Sequence, residues 1–260
     1  VDEAGSPLGE ADGDRVLREA FPGAIYLHRG QTYRIEDLDL EGRRAVARPV
    51  TVDYYTRALS DEDTAIRATH RRRRGNRLIP HWGELRITRR VTSYERRRTA
   101  DGKRMAVQDL DLPATTLDTE GLWLPVTGAA QAAVTGGGHE LPGALHAAEH
   151  ALIKLLPLFA LCDATDIGGV SYPVYPPLGG PYIFIYDGYA GGIGFTRRGF
   201  ETLGDWLTTT LQALRECPCE AGCPACVQDP QCGNANEPLD KAGAIALLGY
   251  WLGEGERVAT

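Results

Sequence analysis

From Ala24 onward the chain alternates apolar and polar residues in short runs. The segment "AIYLHRGQTYRIEDLDLEGRRAVARPVTVDYYT" predicts antiparallel strands over 24–28, 32–39, 43–48 and 51–56. The pair Glu41-Gly42 punctuates two of them as a hairpin turn would. A second strand-rich stretch follows, in which "HWGELRITRRVTSYERRR" and "KRMAVQDLDLP" flank a turn with Asp101-Gly102 at its tip; "GLWLPV" over 121–126 adds a further strand. Alternation along the first of these sets Leu85, Ile87, Arg89 and Val91 on one face and Arg86, Thr88 and Arg90 on the other. Near residue 128 the pattern changes. "GAAQAAVTGGGHELPG" is small and loose, and 144–161 carries apolar residues at helical spacing. "PYIFIYDGYAGGIGF" over 181–195 begins as a continuous apolar strand, and helices are expected over 196–219 and 238–255. Before the strands, 14–21 reads as a short amphipathic helix after an acidic, Gly-rich start.

These elements predict an α+β chain: a small antiparallel β domain, barrel-like if its edges close, followed by an α/β domain that ends in a cysteine cluster. The expected division is a lead-in over 1–20, a β-rich domain over 21–127 and an α+β domain over 128–260. The hydrophobic content of 43% and charged content of 24% fit a soluble globular protein, and there is no apolar run long enough for a membrane span. The start has no signal-peptide character, so a cytoplasmic chain is expected, one that reads as a fragment because it lacks a starting Met.

A net charge of −7 argues against a nucleic-acid partner, but its distribution argues for one. Of 28 basic residues, 14 lie between Arg67 and Arg104, against three acidic residues there (Glu84, Glu95, Asp101). Arginine can grip phosphate in bidentate fashion and aromatics can stack on bases, and His81, Trp82 and Tyr94 are interleaved here. The bland reading is a solvated charged loop; nucleic-acid contact is favoured. The candidates are Arg71, Arg72, Arg73, Arg74, Arg77, Arg86, Arg90, Arg96, Arg97 and Arg98.

Five of six cysteines cluster as C-x-C-x3-C-x2-C-x5-C, from Cys217 to Cys232. The C-P-x-C knuckle of Cys223 and Cys226 is a zinc half-site: two thiolates three positions apart on a tight turn can face one ion. Disulfides fit an odd count in a chain without a secretory signal poorly. A redox pair would open a helix after a strand, whereas these cysteines lie between two helices. A four-thiolate iron–sulfur cluster is the remaining competitor. One structural zinc ion is expected, with Cys232 able to replace Cys217 or Cys219. Cys162 reads as a buried small hydrophobe.

Two further motifs compete for attention. "HAAEH" places His146 and His150 one helical turn apart with Glu149 between, the pattern of an inverted zincin peptidase; polar positions on a packed helix are the alternative. "DGYAGGIG" over 187–194 lacks the phosphate-loop pattern, but the helix start after it, with Arg197 and Arg198, is a further candidate for a backbone phosphate.

The runs "CPCEAGCPACVQDPQCGNANEPLDK", "YIFIYDGYAGGIGFTRRGFE" and "YLHRGQTYRIEDLDLEGRRAVARPVTVDYYT" resemble the C-terminal region of the MrfA-like and Hrq-like superfamily 2 DNA helicases, the SftH type included. The resemblance covers roughly 20–250. It implies a parent enzyme that is an ATP-dependent 3′-to-5′ DNA translocase and helicase linked to DNA repair. It also implies a four-cysteine zinc domain, carried onto Cys217, Cys219, Cys223 and Cys226, with Cys232 extra to the pattern. The chain has no Walker A lysine and no D-E-A-H-type box, so no ATPase activity of its own is expected. Implied partners are DNA and the RecA-like motor domains of the same polypeptide, in a monomer near the nucleoid. A zinc peptidase and a purely structural protein-docking zinc domain are the competing readings.

Overall fold

A computed structural model of the chain describes residues 1–11, 13 and 15–254. Residues 12, 14 and 255–260, at the edges of the expected lead-in and of the first and last expected helices, lie outside the described residues. Helix α1 (Arg15–Glu19) precedes strands β1 (Ile25–His28), β2 (Gln31–Asp39), β3 (Arg44–Pro49), β4 (Tyr54–Arg72), β5 (His81–Arg98), β6 (Arg104–Asp109) and β7 (Thr115–Pro125). Helices α2 (Gly128–Gly136) and α3 (Leu141–Leu155) follow, then β8 (Ile167–Tyr172), β9 (Tyr182–Asp187), α4 (Phe195–Glu201), α5 (Leu203–Glu216) and α6 (Lys241–Trp251). This is the α+β content expected. The strands pair in the orders β1-β2-β3 and β4-β5-β7-β9-β8, with β6 paired to β5, and among the described residues neither sheet closes on itself. Among the described residues no helix is long and apolar enough to cross a membrane.

The chain divides into two compact units: 1–62 with 89–115, and 63–88 with 116–254 of the described residues. The division does not follow the boundary expected near 128, because residues 63–88 and 116–127 group with the helices. In the first unit, Tyr33 and Ile35 alternate inward on β2 and join Phe21, Ala47, Val91 and Tyr94 in one core. The Phe21 and Tyr94 rings sit 4.9 Å apart. The lead-in belongs to this unit: Leu17 is buried, and the Ala47 amide donates to the Val1 carbonyl at 2.9 Å.

In the second unit, β9 (YIFIYD) is buried along nearly its whole length, between β7 and β8 on antiparallel registers. A strand buried on both faces reads as an unbroken apolar run. Leu85 and Ile87 of β5 are buried with Trp123 and Phe184, as the alternation predicts. Helix α3 packs against α2, α5, α6, β8 and β9. Eleven of its fifteen residues are buried, among them the polar His146, Glu149 and His150. Helix α5 buries Leu203, Trp206, Leu207, Thr210, Leu211 and Leu214, the stripe of a one-sided helix.

Three elements depart from the sequence pattern. The single helix expected over 196–219 is broken at Thr202, whose hydroxyl donates back to the Arg198 carbonyl at 2.9 Å. The loose segment after 128 is helix α2, N-capped by the Thr127 hydroxyl accepting from the Ala130 amide. Strand β8 is hidden by its glycines. A Cβ on Gly168 would fall 2.2 Å from the Tyr186 ring, so the close approach requires glycine there.

Candidate metal centre

The loop between α5 and α6 is shaped by short-range backbone bonds. The amides of Cys226, Val227 and Gln228 all donate to the Cys223 carbonyl, at 3.0–3.1 Å, and the Cys223 amide donates to Cys226 Sγ at 3.3 Å. Gly222, at φ +105°, enters this turn where a Cβ would meet Val227 at 2.4 Å. The knuckle so formed meets Cys217 and Cys219, which follow the last turn of α5.

The four sulfurs converge. Sγ separations are 3.5 Å for Cys217–Cys219 and Cys217–Cys223, 3.4 Å for Cys219–Cys226 and 3.7 Å for Cys223–Cys226. A disulfide would need about 2.05 Å, and all six cysteines are free thiols. Tetrahedral zinc with Zn–S near 2.3 Å sets its sulfurs about 3.8 Å apart. The cluster is already within a few tenths of an ångström of that figure. Four thiolates close the shell, which is the pattern of a structural ion.

Cations balance the sulfur charge. Lys241, 6% exposed at the start of α6, donates to the carbonyls of Cys217 (2.7 Å) and Cys219 (2.6 Å) and to Cys219 Sγ at 3.5 Å. Lys154, at the end of α3, donates to the Pro224 carbonyl at 2.9 Å. Burial opposes a thiolate at Cys219, but hydrogen bonds from Cys226, Cys217 and Cys223 outweigh it and bring that sulfur down to about 6. Burial pushes Cys226 up to about 12. Composition gave no sign of Lys241: a lysine at the start of a helix carries no metal signature, and its role depends on where α6 packs.

Cys232, the alternative ligand from spacing, lies away from these four and beside His146, with Sγ to Nε2 at 3.3 Å. Cys162 is half-buried against the core of the second unit, and burial pushes its thiol to about 11. The peptidase pattern fares poorly here. His146, Glu149 and His150 are 7%, 4% and 3% exposed, out of reach of a polypeptide. Glu149 lies against β8, where a Cβ on Gly169 would come within 3.0 Å of its carboxylate.

The glycine loop after β9 is organised by a buried anion. Asp187 Oδ2 accepts from the amides of Ile193 (2.8 Å), Gly194 (2.7 Å) and Phe195 (3.1 Å), and Oδ1 from Thr196 at 2.8 Å. These are the donors a phosphate would use at the start of α4. They are taken, so the phosphate reading keeps only the guanidiniums of Arg197 and Arg198.

The arginine-rich segment is largely paired within the molecule. In the second unit, Arg71 pairs with Glu201 at 3.0 Å and lies over Trp82. Arg73 donates to the Phe200 carbonyl and stacks on its ring, and Arg77 does the same at Tyr250. Arg86 grips Asp118 through two bonds, holding that carboxyl below its ordinary range. Arg198 donates to the Phe159 carbonyl, and Arg197 lies in the field of Glu120. In the first unit, Arg90 pairs with Asp111, Arg97 with the buried Glu95 and Arg98 with Asp101, while Arg96 donates to Tyr94 and Gln108. The side chains of Arg72 and Arg74 are exposed and make no hydrogen bond or ion pair among the described residues. Arg73, Arg74, Arg77, Leu203, Leu207 and Trp251 line an open depression of 570 Å³.

Residues 148–227 match the family described as "MZB: MrfA Zn-binding domain". The match takes in all four converging cysteines. An uncharacterized protein of Methanocaldococcus jannaschii is 40% identical over 107 residues, 40% of this chain and 96% of that protein. An uncharacterized ATP-dependent helicase of Bacillus subtilis, YprA, is 29% identical over 85% of this chain and 29% of its own length. The solved structure of the DUF1998 helicase MrfA bound to DNA superposes with a TM-score of 0.59 at 25% identity, over 91% of this chain and 31% of that one. The chain thus spans less than a third of the helicases it matches. Sulfur geometry and family agree that this is a zinc site. The chain belongs to the MrfA Zn-binding family and corresponds to the zinc-binding region of the MrfA- and Hrq-like helicases.

Proposed function

We propose that this chain is an accessory module of an ATP-dependent 3′-to-5′ DNA helicase or translocase acting in DNA repair. The observation that carries the reading is the likeness along nearly the whole chain to helicases, one of them solved on DNA. In this reading one structural zinc on Cys217, Cys219, Cys223 and Cys226 clamps the end of α5 to the start of α6. The module contributes DNA contacts and docks on RecA-like motor domains of the same polypeptide. It carries no ATPase chemistry of its own and works as a monomer at the nucleoid. The free guanidiniums of Arg72 and Arg74 supply the phosphate contacts most directly; the paired arginines must exchange a carboxylate for a phosphate.

The test is a titration of the 260-residue chain with labelled single strands and forked duplexes at several salt concentrations. Binding should weaken with salt, by a log–log slope of about −0.7 per phosphate on a single strand. The change of Arg71–Arg74 to Ala should flatten that slope. No affinity at low salt would favour the protein-docking reading of the zinc domain.

A further inference from the structure

Two histidines and a cysteine that the four-cysteine site does not use form a cluster of their own. His146 and His150 lie one turn apart on α3, and Cys232 comes from the loop that follows the knuckle. One ligand atom from each lies within 4.8 Å of the others. Their residues are 7%, 3% and 9% exposed. We propose that His146, His150 and Cys232 form a second zinc site, distinct from the tetrathiolate one, with water in the fourth position.

The hydrogen bonds around the cluster fix what each atom presents. His146 Nδ1 is 2.8 Å from the Pro238 carbonyl, and His150 Nδ1 is 2.6 Å from the Val227 carbonyl. A carbonyl oxygen can only accept, so each Nδ1 carries a proton, which leaves Nε2 as the ligating nitrogen of each ring; that of His146 faces Cys232 Sγ. This is the arrangement that orients histidine ligands in metal sites, where the outer nitrogen donates to a carbonyl or carboxylate. The ring centroids are 4.3 Å apart, which brings the two rings to the same space. A divalent cation between them would meet all three donors together, since one ligand atom of each lies within 4.8 Å of the others. The Cys232 Sγ–His146 Nε2 distance of 3.3 Å compares with about 3.6 Å for a sulfur and a nitrogen on one tetrahedral zinc.

The loop is built to hold the sulfur. Asn236 Oδ1 accepts from the Asp229 amide at 2.7 Å, Asn236 Nδ2 donates to the Asp229 carbonyl at 2.9 Å, and the Asn236 amide points at Cys232 Sγ at 3.3 Å. An amide donor stabilises a thiolate. Ala235 and Asn236 both take positive φ, 56° and 62°, to make this turn. The two sites are joined: the carbonyl that orients His150 belongs to Val227, the residue after Cys226. Two imidazole nitrogens and one thiolate sulfur suit zinc, and an ion there would fasten α3 to the 229–238 loop.

The test needs no variant at first. The 260-residue chain, zinc-loaded and freed of loose metal, is assayed for zinc and studied by X-ray absorption at the zinc edge. Two ions per chain, with the outer-shell scattering of imidazole in the spectrum, are expected. One ion per chain with pure sulfur scattering would overturn the proposal and leave a Cys232–His146 hydrogen bond only. His150→Gln and Cys232→Ser should each lower the count from two to one and leave a tetrathiolate spectrum. Two ions retained in both variants would overturn it as well. None of these readouts involves DNA, so they stand apart from the helicase reading.

Discussion

The cysteine loop and the arginine-rich segment are the two compositional anomalies of this chain, and folding treats them oppositely. Cys217, Cys219, Cys223 and Cys226 come together across no more than nine residues of chain, with a tight backbone turn between the last two. The arginines of 67–104 are dispersed over two units and given partners at every range along the chain: Arg97 meets Glu95 two residues away, and Arg71 meets Glu201, 130 residues away. Ligand spacing on a tight turn dictates geometry, because the turn itself sets the distance between sulfurs. A run of charge dictates none, since a flexible guanidinium takes whichever carboxylate the fold delivers. Concentrated cysteine is therefore strong evidence of a site, while concentrated arginine records charge before pairing.

The contrast breaks most directly at the zinc knuckle. Cys226→Ala, or a strong chelator on the unchanged chain, should abolish zinc binding at the four-cysteine site and destabilise the second unit by at least several kcal/mol. Structural zinc in small domains contributes on the order of 10 kcal/mol or more of apparent folding free energy. A fall of about 10 °C or more in the melting midpoint is expected, read by calorimetry with metal analysis of the same sample. A folded variant with an unchanged midpoint would show that the helices hold the loop without the ion.

Asp187 is next in size, and it contrasts with the arginine pairs: a fully buried carboxyl group held by four backbone amides. Asp187→Ala leaves four amide donors without their acceptor. The expected cost is about 3 kcal/mol, read from the denaturant midpoint. Asp187→Asn should recover part of it, because one amide oxygen can still accept. Lys241 comes third. Lys241→Met keeps the volume and removes the cation beside the thiolates, and zinc affinity in competition with a chelator should fall by roughly 10–100-fold, the usual effect of losing a partner of a metal ligand.

These residues also mark how far the sequence could be read. The strands of 24–48, the buried run of β9 and the stripe of α5 announce themselves through periodicity, because each faces one environment along its length. The four-cysteine site was legible for the reason just given. Helix α2 and strand β8 were not. Helix α2 is made largely of small residues, and β8 fits by close approach, as Gly168 does under the Tyr186 ring; neither kind of residue carries a strong hydrophobic signal. The loop 187–194 looked open to phosphate because the donors at a helix start are visible in sequence, while the carboxylate that fills them is identified only by its burial. His146 and His150 stood out as a pair, but their third neighbour lies 86 residues downstream, and no local pattern joins it to them.

The finest distinction lies among the arginines themselves. Arg74 is exposed and its side chain unpaired among the described residues, at the edge of the depression lined by Leu203 and Trp251. Arg90 is held by Asp111 at 2.9 Å, with both side chains largely in water. An exposed pair contributes about 0–1 kcal/mol, so neither Arg74→Ala nor Arg90→Ala should move the melting midpoint by more than about 2 °C. DNA binding should separate them. A guanidinium with no carboxylate to release gives its whole charge to a phosphate, and its loss removes about one unit of counterion release from the salt dependence. Arg90 must first leave Asp111, and the aspartate it exposes repels the same phosphate. Arg74→Ala should therefore flatten the log–log slope by about 0.7 on single strands and Arg90→Ala by much less. Equal slopes for the two would mean that pairing seen within the molecule does not decide which arginines meet DNA, and the contrast between gathered cysteines and dispersed arginines would then describe folding alone.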